Sequence, residues 1–504
     1  MKKLSINGQR IVNEDGSHVI LSGVNLVCKS KALGYVEPCD ESLFEWFQQQ
    51  GFNVIRLGLI WDGVEPEPGH YDDAYLGRIK QQVRWAAQHQ IYVYLDMHQD
   101  LYSQQFGDGA PEWATLTDDL PHVTGDMWSD AYLSSPAVNR ALDHFWQNTP
   151  AVDGIGLQDH YAAMWKHVAS YFADCPNIIG YDMMNEPYPG SSGQQVFGAM
   201  IAAYAQNVMG MNEVDMDQLA TLWFDEEKKQ EILHGMADMD IYRVLMEHAQ
   251  ETAQAFDREV ITPFFNKIAE SIRTVDPDGF LMLETNYFTN MGVESGLELV
   301  QNPDGTIAHH QVYTPHGYDL VVDTDHYEIY NQERVDFIFA THRKVQNRLN
   351  VPVLIGEWGA FNGNPATYEL TKAVNSIFEQ YLWSNTFWCW FEGFQNTPFA
   401  KALRRGFPHT TGGVLSGYQY DYDTERIKVE YISSGGETLI YHPHAALIRA
   451  EDVRVQGAGA VCQIEIRPYY NSEAGLIAVR AEKGERIITV IAGSSRGRAV
   501  DTMY

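Results

Sequence analysis

The chain has 504 residues, more than one typical domain, and its 67 Asp and Glu against 35 Lys and Arg give a formal charge of −32. Such an acidic surface repels nucleic acid and anionic lipid over most of its area, which argues against a polyanionic partner. The five cysteines (Cys28, Cys39, Cys175, Cys389 and Cys462) are scattered, without metal-ligand or disulfide-framework spacing, and read as reduced thiols.

The opening MKKLSINGQRIV has two lysines, but its apolar stretch is broken by Asn7, Gln9 and Arg10, so no export signal is expected. No uncharged apolar run reaches the ~18 residues of a membrane-spanning helix. The expectation is a cytoplasmic protein without a transmembrane segment, capable at most of transient contact with lipid surfaces.

From His18 to Gly393 short β-rich apolar runs alternate with helical periodicity. The strand candidates are HVILSGVNL, NVIRLGLIW, IYVYLDMH, IIGYDMMNEP, FLMLETNY, QVYTPHGY, VPVLIGEWGA and NTFWCWFEG. Helical segments such as ESLFEWFQQQ, HYAAMWKHVASYF and ELTKAVNSIFEQYL fall between them, the fifth interval having the least clear helix. Eight strand-helix units without a glycine-rich phosphate loop predict an α/β fold, a (β/α)8 TIM barrel over residues 1–407. Two intervals, about 99–157 and 188–259, are too long for simple crossovers. Both follow the carboxyl ends of strands and should wall or roof the pocket. The second holds Met200, Met209, Met211, Met216, Met236, Met239 and Met246, which suit either an adaptable apolar groove or the packing of an inserted helical hairpin. Over 408–504 the runs ERIKVEYI, GETLIYHP, VCQIEIRPYY, GLIAVRA and ERIITVIAG predict a C-terminal antiparallel β-sandwich acting as a structural buttress.

Glu186 closes the fourth candidate strand and Glu357 the seventh. In a barrel both reach the rim, where two carboxyl groups about 5–5.5 Å apart can cleave a glycosidic bond with retention. Either alone could be an ion-pair partner or a polar plug; two at matched strand ends point to chemistry. Asp96, His98 and Asp100 alternate onto one strand face and could support a divalent ion, but the same alternation aims them at a sugar, and neither metal nor cofactor is expected.

Asn185-Glu186-Pro187 and Gly356-Glu357-Trp358-Gly359 resemble the signatures of glycoside hydrolase family 5. Arg56 in NVIRLG, His98 in DMHQD, His316 and Tyr318 in HGY, and Trp388 in TFWCWF are counterparts of further family features, in order along the barrel. Within the family the chain is most similar to endoglycoceramidases and related glycolipid β-glycosidases, through VNLVCK, DMHQD, the large insertions and the C-terminal β-domain. The resemblance implies Glu186 as acid/base, Glu357 as nucleophile, and Lys29 and Asp96 as groups holding sugar hydroxyls, with Lys31 a rival to Lys29. Asn185 is expected to bond the 2-hydroxyl, Arg56 and Tyr318 to keep Glu357 anionic, and His98 and His316 to orient substrate. Trp388 should stack on the sugar, with Trp390 as its rival. The expected function is retaining hydrolysis of a glycolipid β-glycoside. The alternatives are a β-glucanase or exo-β-glucosidase on soluble sugars and a non-catalytic carbohydrate-binding barrel.

Overall fold

The computed structural model describes residues 1–125, 127–210, 226–322, 327–457 and 462–491. Eight parallel strands form its centre: β1 (Ser22–Leu26), β2 (Val54–Ile60), β3 (Tyr92–His98), β4 (Ile178–Asp182), β5 (Phe280–Leu283), β6 (Gln311–Tyr313), β7 (Leu354–Ile355) and β8 (Ser384–Phe387). They pair in the order β7-β8-β1-β2-β3-β4-β5-β6. A parallel bridge between Tyr313 and Val353 joins β6 to β7. Above it the short segments His316–Gly317 and Glu357–Trp358 pair, with His316 in register with Glu357. The fold is therefore a (β/α)8 barrel. All seven residues of β2 are buried, because one face points into the barrel and the other lies under helices.

The crossover helices are α1 (Glu41–Gln50), α2 (Asp73–Gln88), α3 (Leu157–Tyr171), α4 (Thr262–Arg273), α5 (Gln332–Leu349) and α6 (Thr367–Tyr381). Several start where an acidic or amide side chain satisfies free backbone N–H groups: Asp40 caps α1, Asp72 caps α2 and Asn331 caps α5. Between β5 and β6 the chain makes only the single 3-10 segment Tyr287–Met291 before running extended, which is why that interval shows no helical periodicity.

Both long insertions leave the carboxyl ends of strands. The first carries the helix Pro136–Trp146; the second carries Gly193–Asn207, Glu226–Gly235 and Met239–Phe256. Met200, Met236, Met239 and Met246 are buried in the core that joins these helices to the barrel, and Met209 is exposed. The packing role thus accounts for four of them. Met211 and Met216 lie outside the described residues.

The C-terminal region forms two antiparallel sheets. One contains Gly413–Asp421, Arg426–Ser433, Gly484–Val490 and Val453–Gln456. Alternation along Gly413–Asp421 turns Leu415, Tyr418 and Tyr420 inward, one residue out of step after a bulge between Leu415 and Gly417. The other sheet shows that the expected domain boundaries need correction at the N terminus. Leu4–Asn7, Arg10–Asn13 and His18–Val19 join Phe407–Thr411, Glu437–His442, Gly475–Ala481 and Cys462–Pro468 in one seven-stranded sheet. The run HVILSGVNL is therefore split: His18–Val19 pairs with Thr410 and Thr411, and the chain enters the barrel at Ser22. Burial explains the division. Leu4, Ile11 and Val19 pack on Val54, Ile179, Phe280, Val312 and Leu354 at the amino end of the barrel, forming its floor.

Candidate active site

Arg56 lies in the middle of β2 with no exposed surface, and every face of its guanidinium is used. Nη1 contacts Glu357 Oε1 at 2.5 Å and Asn25 Oδ1 at 3.2 Å; Nε donates to Asp182 Oδ2 at 2.8 Å. Nη2 reaches Asn185 Oδ1 at 2.9 Å, Glu284 Oε2 at 3.1 Å and Asp96 Oδ1 at 2.9 Å. A fixed fork of five N–H donors at the barrel centre thereby ties β2 to β1, β3, β4, β5 and the end of β7.

The second oxygen of Glu357 accepts from the Tyr318 hydroxyl at 2.7 Å. Glu186 stands opposite. Its backbone occupies the left-handed region, φ 42°, just beyond β4. Gln99 donates to the carbonyls of both Asn185 and Glu186, and the Glu186 N–H donates to Glu284 Oε1 at 2.6 Å. Asn290 Nδ2 donates to Glu186 Oε1 at 2.6 Å, and His316 Nδ1 lies 2.9 Å from that oxygen and 3.5 Å from Glu357 Oε2. One oxygen of each glutamate and a nitrogen of His316 lie within 4.8 Å of one another. Burial, reinforced by the charge of Asp100, pushes Glu186 up to about 7, with the Asn290 bond opposing. Burial holds His316 down at about 3 despite Glu357, so it is neutral.

These glutamates lie at the bottom of a cavity of about 320 Å³. Its floor is polar: Lys29, His98, Asp100, Asn185, Tyr318 and Trp388. Lys29 pairs with Asp100 and lies 4.7 Å from the Trp388 ring centre, and His98 stacks on the same indole at 5.1 Å and 13°. Burial opposes protonation of His98, but Asp96 at 2.8 Å outweighs it and raises the imidazole to about 10. Asp100, despite burial, is held down at about 2 by Lys29 and His98. The rest of the lining is mostly apolar, with Met127, Trp128, Leu133, Phe197, Met291 and Leu320 beside the polar Ser129, Asp130 and Asp319.

Lys29, His98, Asn185, Tyr318 and Trp388 reach the cavity surface together with the two glutamates. Asp96 and His316, expected to hold or orient the sugar, do not line it, and neither does Arg56, which contacts Glu357 as expected. Each is fully buried one layer deeper, Asp96 between Arg56 and His98 and His316 behind the glutamates. Asp100 stands at the cavity surface where Asp96 was expected. The two rivals are separated by geometry: Lys31 pairs with Asp62 at 2.8 Å, and Trp390 packs toward Phe47. The strand ends at Phe387, so alternation no longer fixes Trp390 to the face of Trp388. Sequence reasoning missed Gln99, Asp182, Glu284 and Asn290. Asp182 and Glu284 were visible as acids ending apolar strands, whereas Asn290 sits in a 3-10 turn with no periodic signal.

A parallel barrel that gathers two buried glutamates beyond its fourth and seventh strands has the architecture of the barrel-fold glycoside hydrolases. The chain belongs to glycosyl hydrolase family 5: the cellulase model of that family matches residues 12–393. Among curated proteins it is 34% identical over 211 residues to an endoglycoceramidase of Cyanea nozakii, covering 36% of this chain and 41% of that one. The chain thus spans well under half the length of that relative. It is 24% identical over 510 residues to endoglycoceramidase I of Rhodococcus hoagii (strain 103S), covering 98% of this chain and 86% of the relative. Among solved structures, endo-glycoceramidase II from Rhodococcus sp. superposes with a TM-score of 0.73 as an iminocyclitol complex and 0.71 as a lactosyl-enzyme intermediate. Both are 25% identical and cover 95% of this chain and 99% of that one.

Proposed function

We propose that this protein is a retaining β-glycosidase that cleaves the bond between the glycan and the lipid of a glycosylceramide-type glycolipid. The observation that carries the reading is the carboxyl pair, within 4.8 Å, placed where a polar floor meets a mostly apolar wall. That junction matches a substrate whose scissile bond joins a sugar to an apolar alcohol. The likeness to endoglycoceramidases, one of them captured as a lactosyl-enzyme intermediate, supports it.

In the first step an oxygen of Glu357 attacks the anomeric carbon as the bond to the lipid oxygen breaks, and the proton of Glu186 goes to that oxygen. The raised acidity range of Glu186 suits a group that must arrive protonated. In the second step Glu186 takes a proton from water, whose oxygen attacks the anomeric carbon and frees Glu357. Asn185 spends one amide hydrogen on the Gln99 carbonyl at 3.1 Å and keeps another for the sugar. Trp388 offers the flat face for its C–H side.

The test is product release from glycosylceramide, steryl glucoside and cello-oligosaccharide. The highest kcat/KM is expected on glycosylceramide. A preference of orders of magnitude for the soluble glucan overturns the reading.

A further inference from the structure

Four carboxyl groups crowd one guanidinium: Asp96, Asp182, Glu284 and Glu357 all lie 2.5–3.1 Å from Arg56. Four buried anions on one cation are not sustainable, even with His98 protonated beside Asp96, because an unpaired charge away from water takes up a proton instead. Asp182 shows where that proton goes. Its Oδ2 accepts from Arg56, but its Oδ1 is buried and finds no hydrogen-bond donor among the described residues. A buried carboxylate oxygen without a donor is costly unless the group beside it is an acid carrying a hydrogen. Glu284 is that group: Asp182 and Glu284 accept from neighbouring nitrogens of the same guanidinium, Nε at 2.8 Å and Nη2 at 3.1 Å, and the charge of Asp182 favours a proton on Glu284.

We propose that Glu284 is a positioning residue for Glu186: as a neutral acid it donates its proton to Asp182 and accepts the Glu186 backbone N–H. The inference rests on the reading of Glu186 as the acid/base. The accepted bond matters because Glu186 stands in the left-handed region, costly for a residue with a side chain, and the 2.6 Å contact to Glu284 Oε1 helps hold it there. The direction of the Glu186 carboxyl thus depends on an atom that never meets substrate. The acidic groups facing Glu284 favour a neutral acid, and Arg56 opposes them. Asp182 on β4, Asp96 on β3 and Glu186 disfavour a further charge, Arg56 on β2 bonds the opposite oxygen, and neutral His316 lies 3.3 Å from Oε1. Burial first, and Asp182 second, hold the Glu284 carboxyl well above the ordinary range against the pull of Arg56.

The test separates a neutral acid from a carboxylate, and positioning from mere folding. Glutamine is the nearest isostere of a protonated glutamate: its carbonyl accepts from Glu186 and its amide N–H can meet Asp182, but it loses the acceptor that Arg56 Nη2 reaches on Oε2 at 3.1 Å, so its recovery should be partial. Glu284→Ala should lower kcat/KM on an alkyl β-glycoside by about 10²-fold, yet by less than about fivefold on a dinitrophenyl β-glycoside, whose leaving group needs no proton. Glu284→Gln should recover at least about tenfold of the loss on the alkyl substrate. Equal losses on both substrates, or a glutamine variant no better than alanine, overturn the proposal. A second readout is independent of turnover. At about pH 9, where Glu186 has given up its proton, the infrared difference between wild type and Glu284→Gln should contain a buried carboxylic-acid C=O stretch. Its absence overturns the proposal even if the protein hydrolyses none of the glycosides, an outcome that would refute the proposed activity separately.

Discussion

At the scale of single residues, the two glutamates are held by different neighbours and should fail differently. Glu357 receives donors on both oxygens, Arg56 and Tyr318, and its removal leaves nothing to form the glycosyl ester. Glu357→Ala is expected to lower kcat on the order of 10⁴-fold, with partial rescue by azide and a glycosyl azide of inverted configuration as product. Unchanged turnover would exclude it as nucleophile. Glu186, pushed up to about 7 by burial and Asp100, must be protonated to assist departure. As the pH rises through that value the acid is lost, so kcat/KM on an unactivated glycoside should fall on the alkaline side near pH 7. A dinitrophenyl glycoside should show a much weaker alkaline limb. A profile flat from about pH 4 to 9 on the unactivated substrate would contradict the assignment. These two positions were legible because each ends an apolar run with a short motif. The support around them was less so: Arg56 and Asp96 could be singled out, but their burial behind the cavity follows from side chains of five strands meeting at one point, which no local pattern records.

At the scale of elements, the strands were legible and the loops were not. Strands advertise themselves by apolar runs, and their order places the glutamates before any contact is known. The insertions carry periodicity too, but periodicity only says which face is buried, not against what. Hence the methionines of 188–259 could fit a groove, whereas the described buried ones, Met200, Met236, Met239 and Met246, pack helix to barrel. The apolar wall comes instead from Met127, Trp128 and Leu133 of the first insertion, Phe197 of the second, and Met291, Leu320 and Val322 after β5 and β6. A wall of this kind should matter to a lipid and little to a small soluble aglycone. Burying a large apolar side chain against the lipid is worth ~1.5–3 kcal/mol. Trp128→Ala combined with Phe197→Ala is therefore expected to lower kcat/KM on glycosylceramide by at least about tenfold, while changing an aryl glycoside by less than about threefold. Equal effects on both substrates would remove the wall from aglycone recognition.

At the scale of the whole molecule, the first nineteen residues connect two bodies that the sequence presents as separate. Their hairpin completes the seven-stranded sheet of the sandwich, and the same residues cover the floor of the barrel. The pattern was hard to read because Leu4–Asn7 and Arg10–Asn13 pair with each other, and the link to the sandwich rests on the two-residue strand His18–Val19, whose partners Thr410 and Thr411 lie about 390 residues later. Such pairing leaves no local trace. Elsewhere the sandwich meets the barrel through the Tyr441 hydroxyl on the Gln49 carbonyl at 2.7 Å and the buried Arg405–Glu379 pair at 2.6 Å. The opposite end of the barrel from the cavity is therefore where stability rather than chemistry resides. Removing residues 1–19 would expose Val54, Phe280 and Val312 to water, strip away Leu4, Ile11 and Val19, and leave Phe407–Thr411 as an open edge. At ~1.5–3 kcal/mol for each buried aliphatic side chain, these three alone cost about 4–9 kcal/mol, comparable to the net stability of a folded domain. The truncated chain is expected to aggregate or to melt at least about 10 °C below the full one in differential scanning calorimetry. A melting temperature within about 2 °C of the full chain would show that the barrel closes its own floor.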